Sequence, residues 1–239
     1  MKKKILILGG SSDIGVQVIS KMLKKNWKVT AHYSKNKKTF NNFSNSNSNL
    51  SLIKCDFSKI NENNCQKMIN KVFKYDYDAL INLVGYVDNI SYQNSDLKSL
   101  IKSLKINCLV PMLVQRKVVK EMQRKKFGRI LNCSSIGVKF GGGNNTFNYG
   151  VAKHCLEFIP NNYKEWAKQN ICINNLRIGV TDTKIHKKIK KKLSVKDRIK
   201  LIPAARMAKA DEISNYIVGL VSEKNSYMTG QTITVAGGE

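Results

Sequence analysis

Long apolar runs are missing from this chain of 239 residues. Its basic start, MKKKILILGG, carries only Ile5 to Leu8 as an apolar stretch before two glycines, too short for the core of a secretion signal or for a membrane span. A cytoplasmic protein, not a membrane one, is expected. Clustered ligand-type residues are missing too. The cysteines at 55, 65, 108, 133, 155 and 172 are scattered, with no Cys-x-x-Cys pair and no Cys/His grouping at metal-ligand spacing. No metal is expected, and the thiols read as buried and reduced.

Acidic residues are scarce, 16 against 42 lysines and arginines, which leaves a net charge of +26. Such an excess draws polyanions: nucleic acid, an acidic carrier protein, a nucleotide-linked substrate or an anionic membrane face. The abundance of lysine, asparagine and isoleucine fits equally well the output of an AT-rich genome without selection for a partner. No aromatic stacking platform and no recognition-helix motif is visible, so nucleic acid is the partner the sequence supports least.

What is present is an alternation. With 42% apolar residues the chain can bury one substantial core, and one domain over 1–239 is the expectation. KILIL at 4–8 is a continuous apolar run of the kind a strand buried on both faces requires. Ile14, Val18, Ile19 and Met22 then share one helical face, and WKVTAHY at 27–33 reads as a second strand. Further strands are expected at 50–55, 79–84, 129–133, 171–176 and 232–235, with helices near 62–74, 97–124, 149–168 and 210–222. Strands alternating with helices predict a parallel sheet covered on both sides. The polar segment NNFSNSNSN at 41–49 reads as a surface loop, and KIHKKIKKKLSVKDRIK at 184–200 sets Ile185, Ile189 and Leu193 or Ile199 against a dense lysine face, as an amphipathic helix or helix pair would.

Two stretches carry chemistry. In LGGSSDIG a strand runs into Gly9 and Gly10, two serines, and a helix opening near Gly15. Glycines let a backbone approach a pyrophosphate, and a helix N-terminus offers unpaired N–H groups and the positive end of a dipole; a plain strand-to-helix turn would also use glycine. Downstream, Tyr149 and Lys153 are four apart in YGVAK, one above the other on a helix. A neighbouring ammonium favours phenolate, which would bring the tyrosine pKa down from about 10 toward working pH.

With these residues in this order, the chain resembles the short-chain dehydrogenase/reductase family over essentially its whole length, nearest in look to the 3-oxoacyl-acyl-carrier-protein reductase branch, given its compact length and the ending TGQTITVAGG. The resemblance implies an α/β fold: a single Rossmann domain with a doubly wound, mostly parallel seven-stranded sheet and helices on both faces. A dinucleotide-binding half would end near residue 133 and a catalytic and lid half would follow from 134. Asn107 of KINCLVP, Ser135 of NCSS, Tyr149 and Lys153 match the four catalytic positions, with Ser134 as the neighbouring hydroxyl, because Ser135 and Tyr149 are fourteen residues apart. The cofactor positions are Gly9, Ser11, Ser12, Asp13, Ile14 and Gly15 in the first loop, Tyr33, Ser34 and Lys35 after the second strand, and Asp56 and Phe57 after the third. Asn82 and Gly85 of INLVG, Tyr149 and Lys153 themselves, and Gly179, Thr181 and Thr183 of IGVTDT complete them.

Departures from the family pattern have their own implications. Asp13 stands where the Thr-Gly-x-x-x-Gly-x-Gly pattern has its middle glycine; it would complement the helix dipole, cap its first N–H groups, and leave more of the cofactor contact to Ser11, Ser12 and the Ile14 backbone. Ile178 replaces a proline, which would loosen the turn there. No carboxylate ends the second strand, where NAD-preferring relatives bind the adenosine ribose, and Lys35 follows instead, so NADP(H) is favoured over NAD(H). The implied activity is reduction of a carbonyl to an alcohol, with a 3-oxoacyl group on a carrier protein or CoA as one substrate and a sugar, polyol or other secondary alcohol as the alternative. The lysine-rich 184–200 segment falls at the family's substrate lid, where it would suit an acidic or phosphate-bearing substrate or simply form a solvated face whose isoleucines pack on the sheet. A homotetramer or homodimer built through the helices at 97–124 and 149–168 is the family expectation.

Overall fold

A computed structural model describes residues 2–43, 48–73, 76–185 and 195–239. Seven strands form one sheet in the order β3-β2-β1-β4-β5-β6-β7. They are β1 (Lys4–Leu8), β2 (Lys28–Tyr33), β3 (Leu50–Lys54), β4 (Ala79–Asn82), β5 (Gly128–Ser135), β6 (Ile171–Ile178) and β7 (Thr232–Val235). Every pairing is parallel, from Ile5 against Val29 on one side of β1 to Ile5 against Ala79 on the other. The sheet is therefore wholly parallel, where a mostly parallel one was expected.

Side-chain alternation divides the core. Ile5 and Ile7 pack with Val18, Ile19 and Met22 of α1 (Asp13–Lys24) and with Ile213 and Ile217 of the helix Ala210–Leu220. Leu6 and Leu8 face the other way, onto Ile69 of α2 (Cys65–Val72) and onto Val114, Val118 and Met122 of α4 (Val110–Lys125). A strand whose two faces are both covered has no polar side to spare, which is why β1 reads as an unbroken apolar run.

The long helix expected over 97–124 is α3 (Leu97–Leu104) and α4 joined by a π-helical turn at Lys105–Leu109. The one expected over 149–168 is two helices, α5 (Phe147–Leu156) and α6 (Tyr163–Lys168), with Pro160 between them; proline cannot supply the N–H that a continuous helix needs. Of the segment 184–200, α7 (Val195–Lys200) is described; α8 is the helix Ala210–Leu220. Ile189 and Leu193 lie outside the described residues. All six cysteines are free thiols, four of them buried; against expectation, Cys65 is half-buried and Cys155 exposed.

The chain leaves β1 toward β2 and β3 on one side and returns to β4 on the other. That reversal opens a crevice at the C-terminal ends of β1 and β4, the usual ligand position in an open parallel sheet.

Candidate active site

A cleft of about 1270 Å³ follows this crevice. At its floor Gly9 has φ +74° and lies so near the backbone of Leu83 that a Cβ would sit 2.7 Å from the Leu83 carbonyl oxygen. Only glycine fits both constraints. The helix α1 begins two residues earlier than the sequence suggests. Ser12, not Asp13, is its cap: the Ser12 hydroxyl accepts from the Gly15 N–H at 3.0 Å. Gly9, Ser11, Ser12, Asp13 and Ile14 line the cleft. Gly15 does not; its missing Cβ lets α1 close on Gly10, whose carbonyl oxygen would be 2.6 Å from that atom.

Alternation along β2 decides what the second strand presents. Tyr33 shares the face of Val29 and Ala31 and is buried against Phe40, rings 5.7 Å apart, so it is not a cleft residue as expected. Its neighbour His32 is. The His32 ring stacks on Phe57 at 4.4 Å, its Nδ1 accepts from the Gly9 N–H at 3.2 Å, and Nε2 lies 2.8 Å from the Cys55 carbonyl oxygen. This pattern requires a neutral ring with the proton on Nε2. Burial pushes its pKa down to about 4, against the Cys55 carbonyl and Asp56, which favour charge. Sequence reading missed His32, although the period-two pattern of β2 contains the signal. Ser34 and Lys35 continue the wall, with Asp56 and Phe57 opposite. Asp56 Oδ1 accepts from Ser58 N and Oγ at 3.0 and 2.7 Å. Burial pushes its carboxyl up, but the Ser58 bonds, with Lys35 and Lys59 nearby, outweigh that and hold it below the usual range.

At the other end, β5 delivers two adjacent serines to opposite sides. Ser134 is buried, with its hydroxyl 3.4 Å from the Lys153 carbonyl oxygen. Ser135 lines the cleft beside Tyr149, accepts from Gly137 N at 3.1 Å, and its hydroxyl favours the phenolate. Of the two, Ser135 is therefore the one at the tyrosine. Lys153 is buried one turn along α5, its Nζ 5.8 Å from the Tyr149 ring centre and donating to the carbonyls of Cys133 at 2.6 Å and Val84 at 2.8 Å. Burial lowers its pKa to about 8. The tyrosine runs opposite to expectation: burial of the phenol pushes it up to about 12, over the lowering effect of the Ser135 hydroxyl. The Lys153 ammonium donates to main-chain carbonyls and makes no hydrogen bond to the phenol.

Residues 9–239 match the family model described as Enoyl-(Acyl carrier protein) reductase. The chain belongs to the short-chain dehydrogenase/reductase family. It is 31% identical over 246 residues to the 3-oxoacyl-[acyl-carrier-protein] reductase FabG of Buchnera aphidicola subsp. Schizaphis graminum, covering 99% of this chain and 97% of that one. It is 28% identical to the acetoacetyl-CoA reductase of Shinella zoogloeoides over 100% of this chain and 99% of the relative. Among solved structures it is similar to ElxO with NADP bound, TM-score 0.83, 27% identity, over 100% of this chain and 98% of that one. This short-chain dehydrogenase/reductase is thus an NAD(P)-dependent oxidoreductase by family.

Two further family positions lie behind the cleft wall of this dehydrogenase/reductase instead of on it. Asn82 is buried and accepts from Val84 N at 3.2 Å, while its Nδ2 has no hydrogen-bond partner among the described residues. Asn107, in the π-helical turn, clasps the peptide of Tyr86 with both ends of its amide, accepting at 2.7 Å and donating at 2.9 Å, and also donates to Ser103. Its side chain therefore shapes the loop after β4. Asn148, beside Tyr149, is fully buried and tied to Asp88, Ser95 and Ser99, which anchors the start of α5 on α3. Nothing in its local sequence signals that role.

Gly85 after β4, and Gly179, Thr181 and Thr183 after β6, border the cleft. A Cβ on Gly179 would meet Ala236 Cα at 2.5 Å, so this turn depends on glycine. The replacement of proline by Ile178 does not loosen it: Ile178 pairs with Ser135 on one side and Val235 on the other. Ladder pairing holds the strand end that a ring would have stiffened. Ile185 and Ile199, flanking the lysine-rich run, line the cleft. Among the described residues no helix is long and apolar enough to cross a membrane.

Proposed function

We propose that this protein is an NADP(H)-dependent carbonyl reductase acting on a 3-oxoacyl group carried as a thioester. The observation that carries the reading is the Ser135–Tyr149 hydroxyl pair at one end of a cleft whose other end is the glycine loop and helix α1. The residues suit a dinucleotide: the turn at Gly9 and the N-terminus of α1 accept a pyrophosphate, and Asp56 with the Phe57 backbone suits an adenine. When bound, the nicotinamide supplies the hydride.

Tyr149 gives its proton to the carbonyl oxygen. A phenol held near 12 is protonated throughout the physiological range, which favours a donor and hence the reductive direction. Ser135 donates a hydrogen bond to the same oxygen as negative charge develops there. Lys153, anchored by two carbonyls, holds the ribose side of the site and supplies the positive charge beside the phenol. With the Asn107 side chain occupied by Tyr86 and Ser103, any water link from Lys153 falls to the main chain of that turn.

Lys35, near the Asp56 carboxylate at the adenosine end, supports the 2′-phosphate preference, and no acid ends β2 to oppose it. The thioester substrate rests on the relatives named above and on the apolar Ile185 and Ile199 in the cleft. Exposed Leu97, Ile101 and Leu109 along α3 and the turn after it support assembly through that rod. The test is oxidation of NADPH against NADH with acetoacetyl-CoA, a 3-oxoacyl carrier protein and a panel of keto-sugars; turnover of the sugars alone would replace the substrate assignment.

A further inference from the structure

The carboxylate of Asp13 reaches across the crevice. Its Oδ2 accepts from the Lys184 N–H at 2.7 Å, and its Oδ1 lies 3.3 Å from Lys184 Nζ. Asp13 follows β1, and Lys184 follows β6, which is three strands away in the sheet. The chain after β6 must therefore pass over the ends of β5 and β4 to make this contact. The next residue touches down there, for a Cβ on Gly85 after β4 would lie 3.2 Å from Ile185 Cδ1. Three loops that frame the cleft are thus tied by residues 13, 85, 184 and 185, and the tie crosses the reversal of strand order.

We infer that Asp13 and Lys184 form a clasp over the dinucleotide crevice that slows cofactor release. This rests on the reading that the cleft takes a nicotinamide dinucleotide. The glycine that the family pattern puts at this position could make neither bond, so the acid adds an element to the loop. An uncompensated carboxylate at a pyrophosphate site would repel the ligand; here the Lys184 ammonium offsets that charge. The backbone bond is independent of the Lys184 side chain and fixes Lys184, and with it Thr183, against α1. Asp13 acts as a positioning residue through that segment.

The experiment is stopped-flow displacement of NADPH, followed by its fluorescence, for the wild-type chain, Asp13→Ala, Lys184→Met and the double variant, each checked for folding by circular dichroism. Asp13→Ala should release NADPH five- to tenfold faster. Lys184→Met, which keeps the backbone bond, should release it two- to threefold faster, and should add nothing in the Asp13→Ala background. Asp13→Asn, which keeps an acceptor for the backbone N–H, should fall between wild type and Asp13→Ala, and it carries the test if the alanine variant does not fold. Release from Asp13→Ala at the wild-type rate, or more slowly as relief of simple repulsion would give, overturns the clasp, as do additive effects in the double variant. Failure of the wild-type chain to bind NADPH or NADH would instead overturn the functional reading and the clasp with it.

Discussion

Ser135 and Tyr149 share one end of the cleft, and the Ser135 hydroxyl is the one group drawing the tyrosine pKa down against burial and the Cys133 thiol, which raise it. Ser135 reaches this place because β5 runs on to residue 135 and its last two side chains alternate, sending Ser134 into the interior. Ser135→Ala should cut the rate of carbonyl reduction by about a hundredfold or more, the loss typical of a single oxyanion donor. NADPH affinity, measured by fluorescence titration, should change little.

The acid–base profile should be set by Lys153. Tyr149 stays protonated up to about 12, whereas Lys153 loses its proton near 8. Below that value the ammonium is present; above it the positive charge beside the phenol is gone. The expected kcat/KM for reduction is flat through neutrality and falls as pH rises through about 8. Steady-state assays across pH 6 to 10 check this, with Lys153→Met removing the break along with most of the activity.

His32 should make the fold acid-sensitive. Its folded pKa, about 4, lies below its ordinary value of 6.5, because burial disfavours the charged ring more than the Cys55 carbonyl and Asp56 favour it. The unfolded chain therefore binds the extra proton between those values. Stability is fully present above pH 6.5 and declines as pH falls toward 4, by about 3 kcal/mol over the whole interval. Urea unfolding of wild type and His32→Gln across this range should show a weaker pH slope in the variant.

Cofactor choice should respond to Lys35. Replacing it by glutamate puts a carboxylate where a 2′-phosphate would bind and an acid where a 2′-hydroxyl could bond. Lys35→Glu should lower the ratio of NADPH to NADH affinity by about tenfold or more, about 1.4 kcal/mol, in parallel titrations.

How much of this was legible in the sequence varied with the range of the interaction. The strand pattern of β1 is local, since an apolar run of KILIL has one economical solution in a parallel sheet. Tyr149 and Lys153 are local too, being one helical turn apart. Family resemblance placed Ser135, but alternation was needed to separate it from Ser134. The same alternation, left unused in β2, would have exchanged Tyr33 for His32. Other features depend on partners far along the chain. Asp13 meets Lys184 across 171 positions, and Asn107 meets Tyr86 across 21. The raised pKa of Tyr149 is of this kind as well, because it comes from enclosure by the assembled fold rather than from the lysine beside it in sequence.

The most direct measurement is the Tyr149→Phe variant assayed with NADPH and acetoacetyl-CoA, beside a fluorescence titration of NADPH. NADPH affinity should stay within about threefold of wild type while reduction falls by about a hundred- to ten-thousandfold, the share attributable to a positioned proton donor. Reduction at the wild-type rate by Tyr149→Phe, with NADPH still bound, would contradict the role of Tyr149 as proton donor.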